Sequence, residues 1–225
     1  ITGPVTGALA ENIYEKYQTL FGLNIIQEDA LFDKIEIFRS FGHTANLTVL
    51  KSVFIELGGF NEKLFFAEDH DFCYRLLATG KYKLLFTNKL KIEHIFRTDF
   101  KKFIRLSFNY NKAHSYLIKK YYRNFTILFN SKKIIDFNCQ TGVILKPFTL
   151  AKKLAILVCL SVFITPLFML PLILYLLKIY NRFDLKFRDN PLIKDSELLK
   201  LFGLHLLDNF IAETGEITGV ILCDK

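Results

Sequence analysis

Cysteine is sparse. Cys73, Cys139, Cys159 and Cys223 stand far apart and form no C-x-x-C pair, which argues against a disulfide framework and predicts reduced thiols in a cytosol-facing or membrane setting. Methionine occurs once, at Met169, and the sequence opens on Ile1. No secretory signal stands at the start. No internal repeat or low-complexity segment is present, which excludes solenoid and propeller architectures. No basic helix with base-reading spacing occurs, so nucleic acid is not an expected partner. Ile1–Gly7 reads as an interior strand and turn, and the expectation is that the chain is a fragment or one part of a split protein.

What is abundant is apolar and basic. Of 225 residues, 51% are hydrophobic and 15% aromatic, and 30 Lys and Arg outweigh 22 Asp and Glu for a net charge of +8. Such a balance suits nucleotide phosphates or anionic lipid headgroups. The length allows one domain and an appendage.

The chemistry concentrates between Gly58 and Arg75. A glycine turn (Gly58, Gly59) is followed by Leu64, Phe65 and Phe66, then by Glu68, Asp69 and Asp71. Phe72, Leu76 and Leu77 then follow helical spacing, so the acids fall on a first helical turn, where free N–H groups and the macrodipole favour negative charge. Simple helix capping accounts for such acids in many proteins. The alternative is a carboxylate held as a base or as a hydroxyl-orienting group. Asp71 and Arg75 are i, i+4 partners able to brace that turn.

Upstream lies Ala45-Asn46-Leu47-Thr48. Downstream come Gly80-Lys81-Tyr82, strands over 83–86 and 90–95, and Ile92-Glu93-His94-Ile95-Phe96-Arg97. This order of motifs over residues 1–125 resembles the acceptor-side half of family 2 glycosyltransferases of the GT-A fold, in which a GGFDE-like turn precedes an ED-x-D helix and a strand ending in histidine. The fold implied is α/β: a partial, Rossmann-like GT-A domain followed by a mostly helical, membrane-associated C-terminal region. The resemblance assigns the catalytic base to Asp69 and a supporting role to Glu68. It gives acceptor-side or positioning roles to Asn46, Gly58, Gly59, Asp71 and Arg75, and makes His94 a ligand of Mg²⁺ or Mn²⁺. It implies inverting transfer from a nucleotide-diphosphate sugar to a hydroxyl of a lipid-linked or cell-envelope glycan. Two family features are missing. No D-x-D precedes Glu68, so the nucleotide-binding half is expected from elsewhere and this chain alone is expected to be inactive. No Q-x-x-R-W follows the acidic helix, which favours single additions over processive synthesis.

Beyond this part, 98–122 is predicted to form a basic, aromatic helix suited to an anionic membrane surface. Residues 126–152 read as a linker. Leu154–Leu177 carries no charged residue; as a helix it reaches roughly 36 Å at 1.5 Å per residue, beyond a hydrocarbon core of about 30 Å. Pro166 and Pro171 interrupt it, so 153–180 is expected to be one kinked span or a re-entrant hairpin. Residues 181–225 read as an amphipathic tail, with a helix over 196–211 and turn-forming glycines at 215 and 219. The expected location is the cytoplasmic face of a bacterial inner membrane, with membrane lipids as partners. The competing expectation is a catalytically inert, membrane-anchored scaffold, in which the acids only cap a helix.

Overall fold

Thr2 ties two ribbons into one platform. Its backbone donates to the Leu85 carbonyl at 2.8 Å and accepts from Thr87 at 3.0 Å, and its side chain is buried. The computed structural model describes residues 1–8, 10–21, 28–36, 42–97, 99–129, 132–138, 142–147, 149–163 and 169–221. One ribbon pairs β1 (Val5–Gly7) in parallel with β4 (Ile92–His94), Gly7 opposite His94. The other pairs β2 (Ala30–Phe32) with β3 (Leu84–Phe86) in antiparallel fashion. Isolated bridges from Thr2 to Leu47 and Phe86 join them.

The helices cover this platform. α1 (Ile13–Phe21) begins where the Asn12 side chain accepts from the backbone N–H of Tyr14 and Glu15, as a capping residue does. The spacing of Leu9, Ile13, Tyr17 and Leu20 predicts a helix over 8–21; the observed one starts later, and Leu9 lies outside the described residues. α2 (Lys51–Glu56) and α3 (Glu68–Ala78) flank the glycine turn. Apolar side chains of α2 and α3 meet the inner faces of β2 and β3 in a core of Phe32, Val53, Phe72, Cys73, Leu76, Leu77, Leu84 and Phe86. Each large side chain buried this way contributes about 1.5–3 kcal/mol. Cys73 and Cys159 are free thiols; Cys139 and Cys223 lie outside the described residues. The sequence over 41–50 reads as a loop and then a strand; the structure has a 3-10 turn at Thr44–Asn46 there.

α4 (Phe100–Tyr121) is the long basic helix, opened by the Asp99 carboxylate accepting from the Lys102 N–H at 2.9 Å. Past it, the stretch read as a linker is a sheet. β5 (Asn124–Phe129) lies between antiparallel β6 (Lys132–Asn138) and parallel β7 (Val143–Leu145). The signal was the β-rich run Asn-Phe-Thr-Ile-Leu-Phe, a strand composition.

Among the described residues the kinked span expected over 153–180 is not present as one long helix. The run is divided between α5 (Leu150–Phe163) and α6 (Met169–Phe187), and Pro166 lies outside the described residues. Among the described residues no helix is long and apolar enough to cross a membrane. At 1.5 Å per residue α5 reaches about 21 Å, short of the core thickness. α6 carries Lys178, Arg182, Asp184 and Lys186 on its second half. Pro171 falls in the first turn of α6, where its missing N–H costs nothing.

α7 (Asp195–Ile221) runs past the expected end at 211 and through both glycines read as turn formers. A Cβ at Gly215 would sit 2.5 Å from the Phe108 carbonyl oxygen, and one at Gly219 would sit 2.3 Å from that of Lys112. Four residues apart, the two glycines share one face and let the backbones of α7 and α4 approach closely, the use small residues have at tight helix crossings. A second core of Tyr17, Phe103, Phe183, Phe187, Ile193, Leu198, Leu201 and Phe202 joins α1, α4, α6 and α7. The architecture is mixed α/β.

Candidate active site

The site grows from the start of α3. Ala67, the residue before the acids, has φ 60° and ψ 28°, and no side chain caps the helix there. It is the one non-glycine residue with positive φ among the described residues, a strained conformation that persists where the surroundings over-determine it. The Asp69 Oδ2 accepts from the Thr44 N–H at 3.0 Å, and Oδ1 accepts from the His70 N–H at 2.9 Å. Asp69 is buried. Glu68 is half-buried, and burial, reinforced by the charge of Asp69, raises its carboxyl above the usual range despite a backbone hydrogen bond.

Around Asp69 stand groups that the spacing of motifs did not single out. His43, His70 and Tyr110 neighbour it, His114 packs on His70, and with His94 they bring four of the five histidines to one region. The Tyr110 hydroxyl lies 3.4 Å from Nδ1 of His43. Burial first, then the charges of Asp69 and Glu68, push the Tyr110 phenol upward. The His70 ring packs edge-on to Tyr110 and His114 at centroid separations of 5.6 and 5.5 Å. Burial, and then His114 and His43, hold His70 well below the ordinary imidazole range. Burial and Lys146 push His114 down to about 4. The one available signal was the i, i+4 spacing of Tyr110 and His114, which sets both on one face of α4.

His94 ends β4 on the exposed side, its ring 5.4 Å from that of Phe96. His43 lies beside Tyr110 and His70. Burial lowers its basicity, the Asp69 carboxylate opposes that effect and His94 adds to it. Asp69 and His94 therefore act on the same imidazole. As for a divalent ion at His94, Mg²⁺ demands a near-octahedral set of oxygens. Among the described residues His94 belongs to no group of three ligand atoms close enough to share an ion.

The remaining predicted residues divide by position. Asp71 is fully buried and accepts from Arg75 Nε at 2.8 Å, Lys120 Nζ at 3.2 Å and the Tyr121 hydroxyl at 2.7 Å. Burial works upward on its carboxyl, but the bonds from Tyr121, Arg75 and Lys120 outweigh it and leave the group below its ordinary value. Arg75 also donates to the carbonyls of Leu57 and Gly59. It thereby fixes the turn in which Gly58 and Gly59 adopt φ of 74° and 68°, a region glycine enters without steric cost. These four residues brace the back of α3. Asn46 is a strand clamp: its amide donates to the carbonyls of Pro4 and Leu90, and its own carbonyl accepts from Thr2 Oγ1 at 2.8 Å.

Chemically, the front of α3 offers a fixed carboxylate beneath imidazoles and a phenol, next to a second carboxyl of raised pKa. Comparison with protein-family models, curated proteins and solved structures gives no significant match for this chain.

Proposed function

We propose that the chain is the acceptor-side part of an inverting glycosyltransferase with a partial GT-A fold. It would transfer a sugar from a nucleotide-diphosphate donor to a hydroxyl of a lipid-linked or cell-envelope glycan. The observation that carries this reading is the Asp69 carboxylate, buried at the start of α3 and fixed by the Thr44 and His70 N–H groups. The order of motifs from Asn46 to His94 supports it further.

In this reading Asp69 accepts the proton of the acceptor hydroxyl. The acceptor oxygen forms a bond to the anomeric carbon as the bond from that carbon to the diphosphate breaks, its electron pair leaving with the phosphate. Glu68 and Tyr110 position the acceptor beside Asp69. Mg²⁺ or Mn²⁺ would neutralise the leaving diphosphate. The carboxylates that hold it come from a donor-binding part carrying a D-x-D, with His94 as an added ligand. That part is a required partner.

The C-terminal region supports work at a lipid surface, without crossing it, on the cytoplasmic face. Val162, Phe163, Leu170, Ile173, Leu174 and Leu177 are exposed on α5 and α6. Lys153 precedes them in sequence and Lys178 and Arg182 follow, the pairing of apolar residues and cations that suits anionic headgroups.

The test is Asp69→Asn in the enzyme containing both this chain and its donor-binding part, assayed with a panel of nucleotide sugars. Transfer is expected to fall by roughly 10²–10⁴, the worth of a positioned base, with the melting temperature retained. Undiminished transfer by the variant, or no transfer by the parent across the panel, overturns the reading and leaves the inert scaffold.

A further inference from the structure

We propose that His43, Asp69 and His70 form a binding site for a transition-metal dication of the zinc class, and that an ion bound there withdraws Asp69 from base duty. The binding claim stands on geometry alone; the inhibitory consequence rests on Asp69 being the base.

The three side chains each offer one ligand atom, and all of these atoms lie within 4.8 Å of one another. Two imidazole nitrogens and one carboxylate oxygen form a donor set that suits zinc and its neighbours and suits Mg²⁺ poorly. Tetrahedral zinc with bonds of about 2.0–2.1 Å sets its ligands about 3.3 Å apart, so ligand atoms at the 4.8 Å limit close by up to about 1.5 Å when the ion enters.

The ligands come from two segments that are already fixed. His43 precedes the Thr44–Asn46 turn, whose Thr44 N–H holds Asp69 Oδ2. Asp69 and His70 are consecutive on the first turn of α3. His70 is 1% exposed and walled by Tyr110 and His114, while His43 is partly exposed. An ion therefore enters from the His43 side and keeps its open position there, the arrangement of sites with three protein ligands. The Tyr110 hydroxyl at 3.4 Å from His43 Nδ1 is an outer partner able to orient that ring.

Zinc chloride titrated calorimetrically into the chelator-treated chain should bind at one equivalent, whereas magnesium chloride alone should not. Cobalt in its place should give the visible bands of a four-coordinate site. His43→Ala and His43→Gln should each weaken zinc by about tenfold or more, and His94→Ala and His205→Ala should leave the affinity unchanged. His43 is partly exposed, so its variants keep the fold, which a zinc-free melting curve verifies. Sub-stoichiometric zinc, or full affinity in the His43 variants, overturns the site. Loss of affinity in His94→Ala instead moves the ion elsewhere and overturns it equally. These measurements need no transfer activity, so a failed transferase reading leaves them intact. In the complete enzyme, zinc inhibition that persists in His43→Gln overturns the inhibitory consequence alone.

Discussion

Arg75 and Asp71 are joined across one turn of α3, Nε to Oδ2 at 2.8 Å, with the aspartate fully buried and the arginine reaching on to the glycine turn. Removing the guanidinium leaves the carboxylate to Lys120 and Tyr121 alone and frees two carbonyls. Arg75→Ala is expected to cost about 1.5–3 kcal/mol, the scale of a hydrogen bond to a buried charge. Arg75→Lys should recover only part of it, because an ammonium cannot serve three acceptors in a plane. Urea midpoints of the three proteins check this.

The paired glycines of α7 predict opposite outcomes along one helix. Gly215→Ala and Gly219→Ala push a methyl group into the α4 backbone and should each cost about 1–3 kcal/mol. Gly203→Ala meets nothing within 4 Å and should stabilise by about 0.4–1 kcal/mol, since alanine has less chain entropy to lose. Thermal melts of the three variants decide it.

The exposed apolar face of α5 and α6 predicts lipid binding that depends on anionic headgroups. The chain should co-sediment with vesicles containing phosphatidylglycerol more than with phosphatidylcholine alone. The double variant Leu170→Asn, Leu174→Asn should reduce that binding several-fold at unchanged stability, each leucine being worth about 1.5–3 kcal/mol when buried. Equal pelleting by variant and parent would contradict an apolar contact.

Acid should loosen the β5–β6 ribbon late. Hydrogen bonds from Lys133 first, then Thr126 and Asn124, lower the Asp136 carboxyl to about 2. Its folded value lies below its unfolded one, so its contribution is present above the ordinary aspartate pKa of about 3.9. It is lost as pH falls towards 2. A carbon-detected titration of Asp136 should show that midpoint, and Lys133→Ala should move it upward.

Local rules made much of the α3 region legible. The glycine turn, the i, i+4 pair of Asp71 and Arg75 and the stop at Gly80 follow from short-range chemistry. What escaped depends on contacts between distant segments. Gly215 and Gly219 have turn composition, yet they sit mid-helix because α4 needs them small. Leu154–Leu177 has the composition of a span, yet its described residues belong to α5 and α6, neither long and apolar enough to cross a membrane. His43 and Tyr110 carried no motif and gained meaning only when α4 folded over the start of α3. The roles of Asp69 as base and Glu68 as its support rest on resemblance, and the fold adds His43, His70 and Tyr110 as neighbours.

Phe108 and Lys112, the carbonyls touched by the two α7 glycines, bracket Tyr110, and His114 stands half a turn further on. The last helix of the chain thus sets the height of the wall that faces Asp69. Shortening α7 from its C-terminal end, or placing a bulky group on that helix face, should be felt first as a loosened reaction centre at residues a hundred positions or more away in sequence.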